Sequence, residues 1–545
     1  VSLLAAQEWR DQDPDPETRA QLDTIIADAA AGSPEAVAEL DARFATRLEF
    51  GTAGLRGALG AGPTRMNRVL VAQAAAGLAA YLLGGEAEPS VVIGYDGRTN
   101  SRVFATDTAE LMAGAGVRAI LLPRLLPTPV LAFAVRYLDV SAGVMVTASH
   151  NPGSDNGYKV YLGGADEGAQ IVPPSDGEIA ACILAAAAGD IRSLPRSTEY
   201  RIASEDILDA YVAEVSELGH ATVPVDFVYT AMHGVGWETA RRVFVETGFG
   251  EPTVVAEQLL PDPTFPTVAF PNPEEPGALD LAFERASTTG AELVIANDPD
   301  ADRLAVGVRN DDGWRRLSGN EVGALLGWRA AERNSTGTLA CSIVSSPALA
   351  AIAREYGLRH VETLTGFKWI SRVPGLVFGF EEALGYLVNP DSVRDKDGIS
   401  AAVDLLTLVS ELKAAGRTLT DHAGDFAARF GAFASAQISL RLTDPAEIEA
   451  IMTRLRATPP TTLGSTAVTA IDDFATGFEG FPPGDILRLW TADGSRVIVR
   501  PSGTEPKLKV YLDASDDTGP ARERMAAASA KVAALEAAMH DLLGQ

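Results

Sequence analysis

The chain has 545 residues, a formal net charge of −28 at pH 7 and a composition that is 46% hydrophobic but only 7% aromatic. That length is too great for a single core and predicts about three or four domains, with aliphatic, alanine-rich helices packed on sheets in an α/β arrangement. So acidic an average field repels nucleic acid and anionic membrane, so any site for a phosphorylated small molecule has to be a local basic island.

The N-terminal extension, residues 1–48, carries two predicted helices, one capped by Asp15-Pro16-Glu17 and the other by Ser33-Pro34-Glu35, and these serve packing rather than chemistry. The start turns acidic within ten residues, so no signal peptide is expected. The weakly polar stretch 69–84 is interrupted by Gln73 and reads as too short to span a bilayer. Cys182 and Cys341 stand far apart, in neither a metal nor a redox spacing. They read as buried thiols in a reducing compartment, and a cytoplasmic location is expected.

A first domain, 49–200, has strands near 91–93 and 119–122 around a helix at 103–115. Its loop Asp96-Gly97-Arg98-Thr99-Asn100-Ser101 leaves a strand end, where open α/β sheets keep their ligands. Further on, Thr147-Ala148-Ser149-His150-Asn151-Pro152 and Asn156-Gly157-Tyr158-Lys159 connect an apolar strand at 143–146 to a returning one at 158–162. Ser149 is thereby placed in a polar loop at a rigid sheet edge, where a serine can carry a phosphoryl group. Taken singly such a serine is a solvated turn, and the motifs that follow outweigh that reading.

The second domain, 201–312, opens with a strand at 225–229 and the loop His233-Gly234-Val235-Gly236, which lacks the dinucleotide and P-loop fingerprints. His233 is read as a structural hydrogen-bonder. After the apolar run 293–296 comes Asp298-Pro299-Asp300-Ala301-Asp302-Arg303. On an extended chain the three carboxylates fall on one side, with Pro299 and Ala301 pointing away. Three hard oxygen donors suit Mg²⁺. A calcium loop would need glycine and glutamate where this chain has Arg303 and Arg309. An acid-rich surface turn is the rival, and Arg303, well placed to take a phosphate oxygen, weighs against it. The loop is expected at a domain surface, and the domain is expected to end at Asn310-Asp311-Asp312-Gly313.

The third domain, 313–430, begins with a helix capped at Ser318-Gly319-Asn320-Glu321 and contains the strand exit Thr363-Leu364-Thr365-Gly366-Phe367-Lys368. Its turn Phe380-Glu381-Glu382-Ala383-Leu384-Gly385-Tyr386 is suited to gripping sugar hydroxyls. The fourth, 431–545, ends in a helix at 521–543. Its loop Arg500-Pro501-Ser502-Gly503-Thr504-Glu505-Pro506-Lys507, between strands at 497–499 and 508–511, combines an arginine fork, two hydroxyls and a lysine in a phosphate cradle. Of only seven lysines, five (Lys159, Lys368, Lys396, Lys507 and Lys509) fall in or beside these motifs, which locates the basic island. Lysine can release a proton where arginine in practice cannot, so Lys159 and Lys368 are also candidates for proton transfer.

Four motifs in this order, spanning 50–511, resemble the α-D-phosphohexomutases, the family of phosphoglucomutases and phosphomannomutases. The resemblance implies three similar α/β domains with mixed sheets plus a C-terminal α+β domain around a central active-site cleft. It implies a phosphoryl group on Ser149, and Mg²⁺ on Asp298, Asp300 and Asp302 with Ser149 completing the set. The opening loop Gly51-Thr52-Ala53-Gly54-Leu55-Arg56-Gly57 resembles the family's first active-site loop, so Arg56 joins His150, Lys159 and Arg303 as candidate catalytic residues beside Ser149. Sugar binding falls on Glu381 and Glu382 with Gly366 and Lys368, and the far phosphate falls on Arg500, Ser502, Gly503, Thr504 and Lys507. The implied activity moves a phosphoryl group between the 1-position and the 6- or 5-position of a sugar phosphate, through a sugar 1,6-bisphosphate that is intermediate and activator. Many members have a serine where this chain has Ala383. That turn and Val393-Arg394-Asp395-Lys396-Asp397-Gly398 look more like the branch with phosphopentomutase-like and bisphosphate-forming enzymes and bacterial phosphoglucomutases. A metal-dependent sugar phosphatase would not need the second cradle, and a non-catalytic sugar-phosphate sensor would have no use for the serine.

Overall fold

The computed structural model describes residues 3–442, 444–502 and 507–544. The chain forms two compact units. One comprises Val1–Leu317 with Phe367–Arg372 and Ala383–Ser410, and the other comprises Ser318–Gly366, Val373–Glu382 and Glu411–Gln545.

The first unit opens with helices Leu3–Gln12, Pro16–Ala30 and Pro34–Phe44. Asp15 and Ser33 cap the second and third through their side chains, each with proline in the first turn. The first helix was not expected. It buries only Ala6 and Trp9, too few apolar positions to show a helical period in sequence.

The first sheet runs, in spatial order, Leu55–Ala58, Asp155–Leu162, Ala142–Val146, Ser90–Tyr95, Arg118–Leu121 and Arg201–Ile202. The last four are parallel, and Asp155–Leu162 is antiparallel to both neighbours in this order and to a short seventh strand, Ala169–Gln170, that pairs with it off this path. Ser90–Tyr95 and Ala142–Val146 are buried along their whole length, which explains their unbroken apolar sequence. Helix Arg68–Gly85 is long and apolar enough to cross a membrane by length and composition, so shortness does not dispose of that reading. Packing does, because 61% of the helix is buried and it lies against Ser175–Ala187 so closely that a Cβ on Gly77 would come 2.5 Å from Ile183.

The second sheet runs Gly313–Arg316, Leu304–Asn310, Leu293–Asn297, Phe227–Thr230 and Thr253–Val254. The residues taken as this domain's end, Asn310 to Gly313, form a hairpin turn within it. Strands Arg201–Ile202 and Gly313–Arg316 therefore stay with the sheets that precede them, past the expected boundaries at 200 and 312.

In the second unit, helix Gly319–Arg333 starts with the reciprocal Ser318–Glu321 capping box. Strand Thr338–Ser342 lies parallel between Arg359–Thr363 and Leu376–Glu381. Three sheets thus share one plan: the first parallel strand sits between the next two strands in chain order, as Ser90–Tyr95 does between Arg118–Leu121 and Ala142–Val146, and Phe227–Thr230 between Thr253–Val254 and Leu293–Asn297. The repeat is invisible in sequence because it lies in backbone order, while each strand is filled with its own apolar side chains. The C-terminal sheet is antiparallel throughout, in the order Ala432–Arg441, Lys507–Asp516, Arg496–Pro501, Leu487–Thr491, Thr466–Asp473, Thr462–Leu463. Its core includes Val497, Val499, Leu508, Val510 and Leu512, with Leu535 and Met539 of helix Ala521–Leu543.

Candidate active site

Ser149 sits in the connection between Ala142–Val146 and Asp155–Leu162, two paired strands in the sheet interior, so it is not at an edge. It is 2% exposed and has φ 54°, a left-handed conformation that a serine rarely adopts. Thr147 Oγ1 accepts its amide at 2.9 Å. Its own Oγ donates to Asp298 Oδ2 at 3.1 Å and lies 3.1 Å from His150 Nδ1.

Strand Leu293–Asn297 delivers the three aspartates, yet they do not converge by alternation along an extended chain. Residues 298–302 turn tightly, with Ala301 N donating to Asp298 O at 2.8 Å and Ala301 at φ 58°. The turn brings one carboxylate oxygen from each of Asp298, Asp300 and Asp302 within 4.8 Å of one another. All three are fully buried, contrary to the expected surface loop. A Cβ on Gly234 would come 2.3 Å from Pro299 O, so glycine lets the neighbouring loop approach this turn.

Two lysines enter the same cluster. Register opposite Met145 brings Lys159 here, its Nζ 2.8 Å from Asp300 Oδ2 and 2.9 Å from Asp302 Oδ2. Lys396 Nζ lies 2.8 Å from Asp302 Oδ2. Burial works against every charge in this cluster, and the neighbours decide which are kept. Asp302 is held well below the ordinary carboxylate range because Lys159, Lys396 and Arg303 overcome its burial. Asp298 is pushed far up by burial and by the charges of Asp300 and Asp302. His150 is pushed down by burial and by Arg303 and Arg56.

The residues present fit a divalent cation. Asp300 Oδ1 and Asp302 Oδ1 are buried without a hydrogen-bond partner, and hard oxygen donors of this kind suit Mg²⁺. Arg56 is held near Ser149 by a contact of 3.4 Å to Asn151 Oδ1. Arg303 donates its amide to Asp298 Oδ1 at 3.0 Å and Nη1 to Ala383 O at 3.0 Å. The arginines and lysines form the basic island that the net charge called for, while His150 stands in it as a neutral ring.

Lys368 also belongs to the first unit, where its Nζ hydrogen-bonds Thr52 Oγ1 of the opening loop. His233 Nε2 pairs with Thr267 Oγ1 at 2.8 Å, the structural part expected of it. The remaining predicted residues belong to the second unit. Gly366 is there at φ 108°, and Glu381 ends the strand Leu376–Glu381. Glu382 Oε2 accepts from Ser342 Oγ at 3.0 Å and Ser345 Oγ at 3.2 Å, so this carboxylate is bound within its own domain. Arg500 pairs with Lys509 across a hairpin whose Ser502 amide donates to Lys507 O at 2.7 Å. Gly503 and Thr504 lie outside the described residues.

Sequence reasoning missed Thr128. Its hydroxyl donates to Asp300 Oδ2 at 2.6 Å and its amide to Asp300 O at 3.0 Å. The one signal was a threonine opening a helix between two prolines, which reads as a helix start and says nothing of a partner 172 residues away.

Comparison with known proteins matches this architecture part by part. Residues 47–189, 209–313 and 318–430 match the three α/β/α domains of the phosphoglucomutase/phosphomannomutase family, and residues 438–531 match its C-terminal domain. The chain belongs to the phosphoglucomutase/phosphomannomutase family. It is accordingly an enzyme, a phosphosugar mutase of the isomerase class. It is 58% identical over 454 residues to a probable phosphomannomutase of Haemophilus influenzae, covering 82% of this chain and 93% of the relative. It is 37% identical over 532 residues to a human phosphopentomutase, covering 87% and 86%. A putative phosphomannomutase structure from Thermus thermophilus, 21% identical, superposes with a TM-score of 0.69 over 90% of this chain and 99% of its own, and it confirms the fold.

Proposed function

We propose that Ser149 carries the phosphoryl group of this mutase and passes it to a hexose phosphate, glucose or mannose being the first candidates. The carrying observation is Ser149 Oγ, buried and 3.1 Å from Asp298, within a cluster that also holds Arg56, His150, Lys159 and Arg303. In the first transfer the Oγ–P bond of phosphoserine breaks while a bond forms from phosphorus to the free sugar hydroxyl, whose proton ends on Oγ. The bisphosphate turns over and returns its other phosphoryl group to Ser149, leaving the isomerised monophosphate. Asp298, Asp300 and Asp302, with Ser149, would hold Mg²⁺, which when bound offsets negative charge on the moving group. Arg56, Arg303 and Lys159 add fixed positive charge where transfer depends on positioning and electrostatics. Glu381, Glu382, Gly366 and Lys368 are assigned to the sugar, and Arg500, Ser502, Gly503, Thr504 and Lys507 to the phosphate that is not reacting.

Domain divisions near 48, 200, 312 and 430 and a cytoplasmic location belong to the same reading, the latter supported by two free cysteines. A pentose phosphate is the second substrate reading, favoured by Ala383, whose methyl offers a sugar no hydrogen bond, and by the relative named a phosphopentomutase. Incubation with glucose 1-phosphate and a trace of glucose 1,6-bisphosphate tests the assignment. Isomerisation supports it, and release of free phosphate or no reaction opposes it. Parallel rates with mannose and ribose phosphates rank the sugars.

A further inference from the structure

Arg98 follows the strand Ser90–Tyr95, in a loop to which the proposed cycle assigns nothing. Its side chain is 1% exposed, and among the described residues the hydrogen bonds of its guanidinium go to main-chain carbonyls of residues 149–155. Nη2 reaches Ser149 O and Asn151 O, both at 2.6 Å, and Nη1 reaches Pro152 O at 2.8 Å and Asp155 O at 3.1 Å. Behind it, Asp96 Oδ2 lies 3.4 Å from Nε, and the Phe265 ring lies 5.0 Å from the guanidinium carbon. Asp96 is itself fixed, Oδ1 accepting the Arg98 amide at 3.0 Å and Ser101 Oγ at 2.6 Å.

The Ser149 loop needs such a brace. Holding serine at φ 54° costs about 1–2 kcal/mol against the ordinary helical or extended basins. A planar fork with five donors can serve four carbonyls at once, whereas a lysine ammonium has three donors at one point. Buried carbonyls left without donors would draw the loop towards water.

We propose that Arg98 is a positioning residue that fixes the main chain of residues 149–155, so that the phosphoryl group on Ser149 passes to a sugar hydroxyl rather than to water. The inference rests on Ser149 being the carrier. In the leak it prevents, a water oxygen bonds to phosphorus as the Oγ–P bond breaks, giving inorganic phosphate and the free serine hydroxyl.

The test charges full-length protein with phosphoryl-labelled glucose 1,6-bisphosphate, maps the label by peptide, and chases with glucose 6-phosphate or with buffer. Parent, Ser149→Ala, Arg98→Lys and Asp96→Asn are compared. In Arg98→Lys the label should still map to Ser149, while kcat falls on the order of 100-fold with KM within about threefold, as for a reacting atom displaced by about 1 Å. The share of label lost to water should rise about tenfold. A merely structural part would lower the melting temperature and the folded fraction without moving the ratio of sugar transfer to hydrolysis. An unchanged ratio and kcat per folded molecule overturns the role of Arg98. If Arg98→Lys does not fold, the same ratio in Asp96→Asn decides: a rise supports the proposal and no change overturns it. Label retained by Ser149→Ala would overturn the carrier assignment itself and the proposal with it.

Discussion

Thr128 grips Asp300 twice, through its hydroxyl to Oδ2 at 2.6 Å and its amide to the carbonyl at 3.0 Å. The side-chain bond leaves Asp300 Oδ1 as the oxygen without a partner. A carboxylate so oriented is prepared for a cation before one arrives, as outer partners of metal ligands commonly arrange. Thr128→Val keeps the shape and the amide bond but loses the hydroxyl. It should weaken Mg²⁺ binding about 10- to 100-fold by calorimetry, with Thr128→Ser restoring most of it. Equal affinity in the valine variant would show that the hydroxyl does not orient the ligand.

Ser149→Ala should abolish label transfer from a sugar bisphosphate to protein and lower turnover by several orders of magnitude, since it removes the hydroxyl that bonds Asp298. Normal turnover in this variant would refute the assignment.

Asp298→Asn and Asp302→Asn should act oppositely on the metal-free protein while both weaken Mg²⁺ binding. Asp298 is the carboxylate that burial and its charged neighbours push towards the neutral form, so Asn mimics the state it already favours without metal and should preserve or raise the melting temperature. Asp302 balances Lys159 and Lys396, so its loss takes one carboxylate from each of two buried ammonium groups, which keep Asp300 and Asp395, and should lower the melting temperature. Equal melting temperatures in the two variants, without metal, would contradict this charge distribution.

Stability should depend on pH through Asp397, pushed up to about 6 by burial despite hydrogen bonds from Tyr211, Ile399 and Ser400. The folded state holds this proton more tightly than the unfolded chain. Its contribution is therefore full below about 4 and is lost as pH rises to about 6, amounting to on the order of 2–3 kcal/mol. Asp397→Asn mimics the protonated acid. Melting curves from pH 4 to 7 should be flatter for the variant than for the parent, and parallel curves would rule this source out.

Arg500→Ala should impair the forward and reverse isomerisations alike and let more bisphosphate escape, because the phosphate that is not reacting has to be held in both halves of the cycle. Each charge-assisted hydrogen bond lost should cost about 1.5–3 kcal/mol, while charging of Ser149 and Mg²⁺ affinity change less. Loss of Ser149 phosphorylation with normal sugar-phosphate binding would instead assign Arg500 to the reacting centre.

Local chemistry is what the sequence determined by itself. Proline after Asp15 and Ser33, the Ser318–Glu321 box and the buried runs of the central strands mark their elements because each acts within a few residues. The serine loop, the aspartate triplet and the family are legible because their residues are contiguous. Tertiary structure decided the rest. Whether the aspartates lie on a surface or in a core depends on what packs over them, and here Thr128, Lys159 and Lys396 all arrive from elsewhere in the chain. The turn that converges them, the burial that sorts their charges and the four carbonyls on Arg98 arise only when distant segments meet. No periodicity or spacing records such meetings, because the contacts join positions that the chain itself keeps apart.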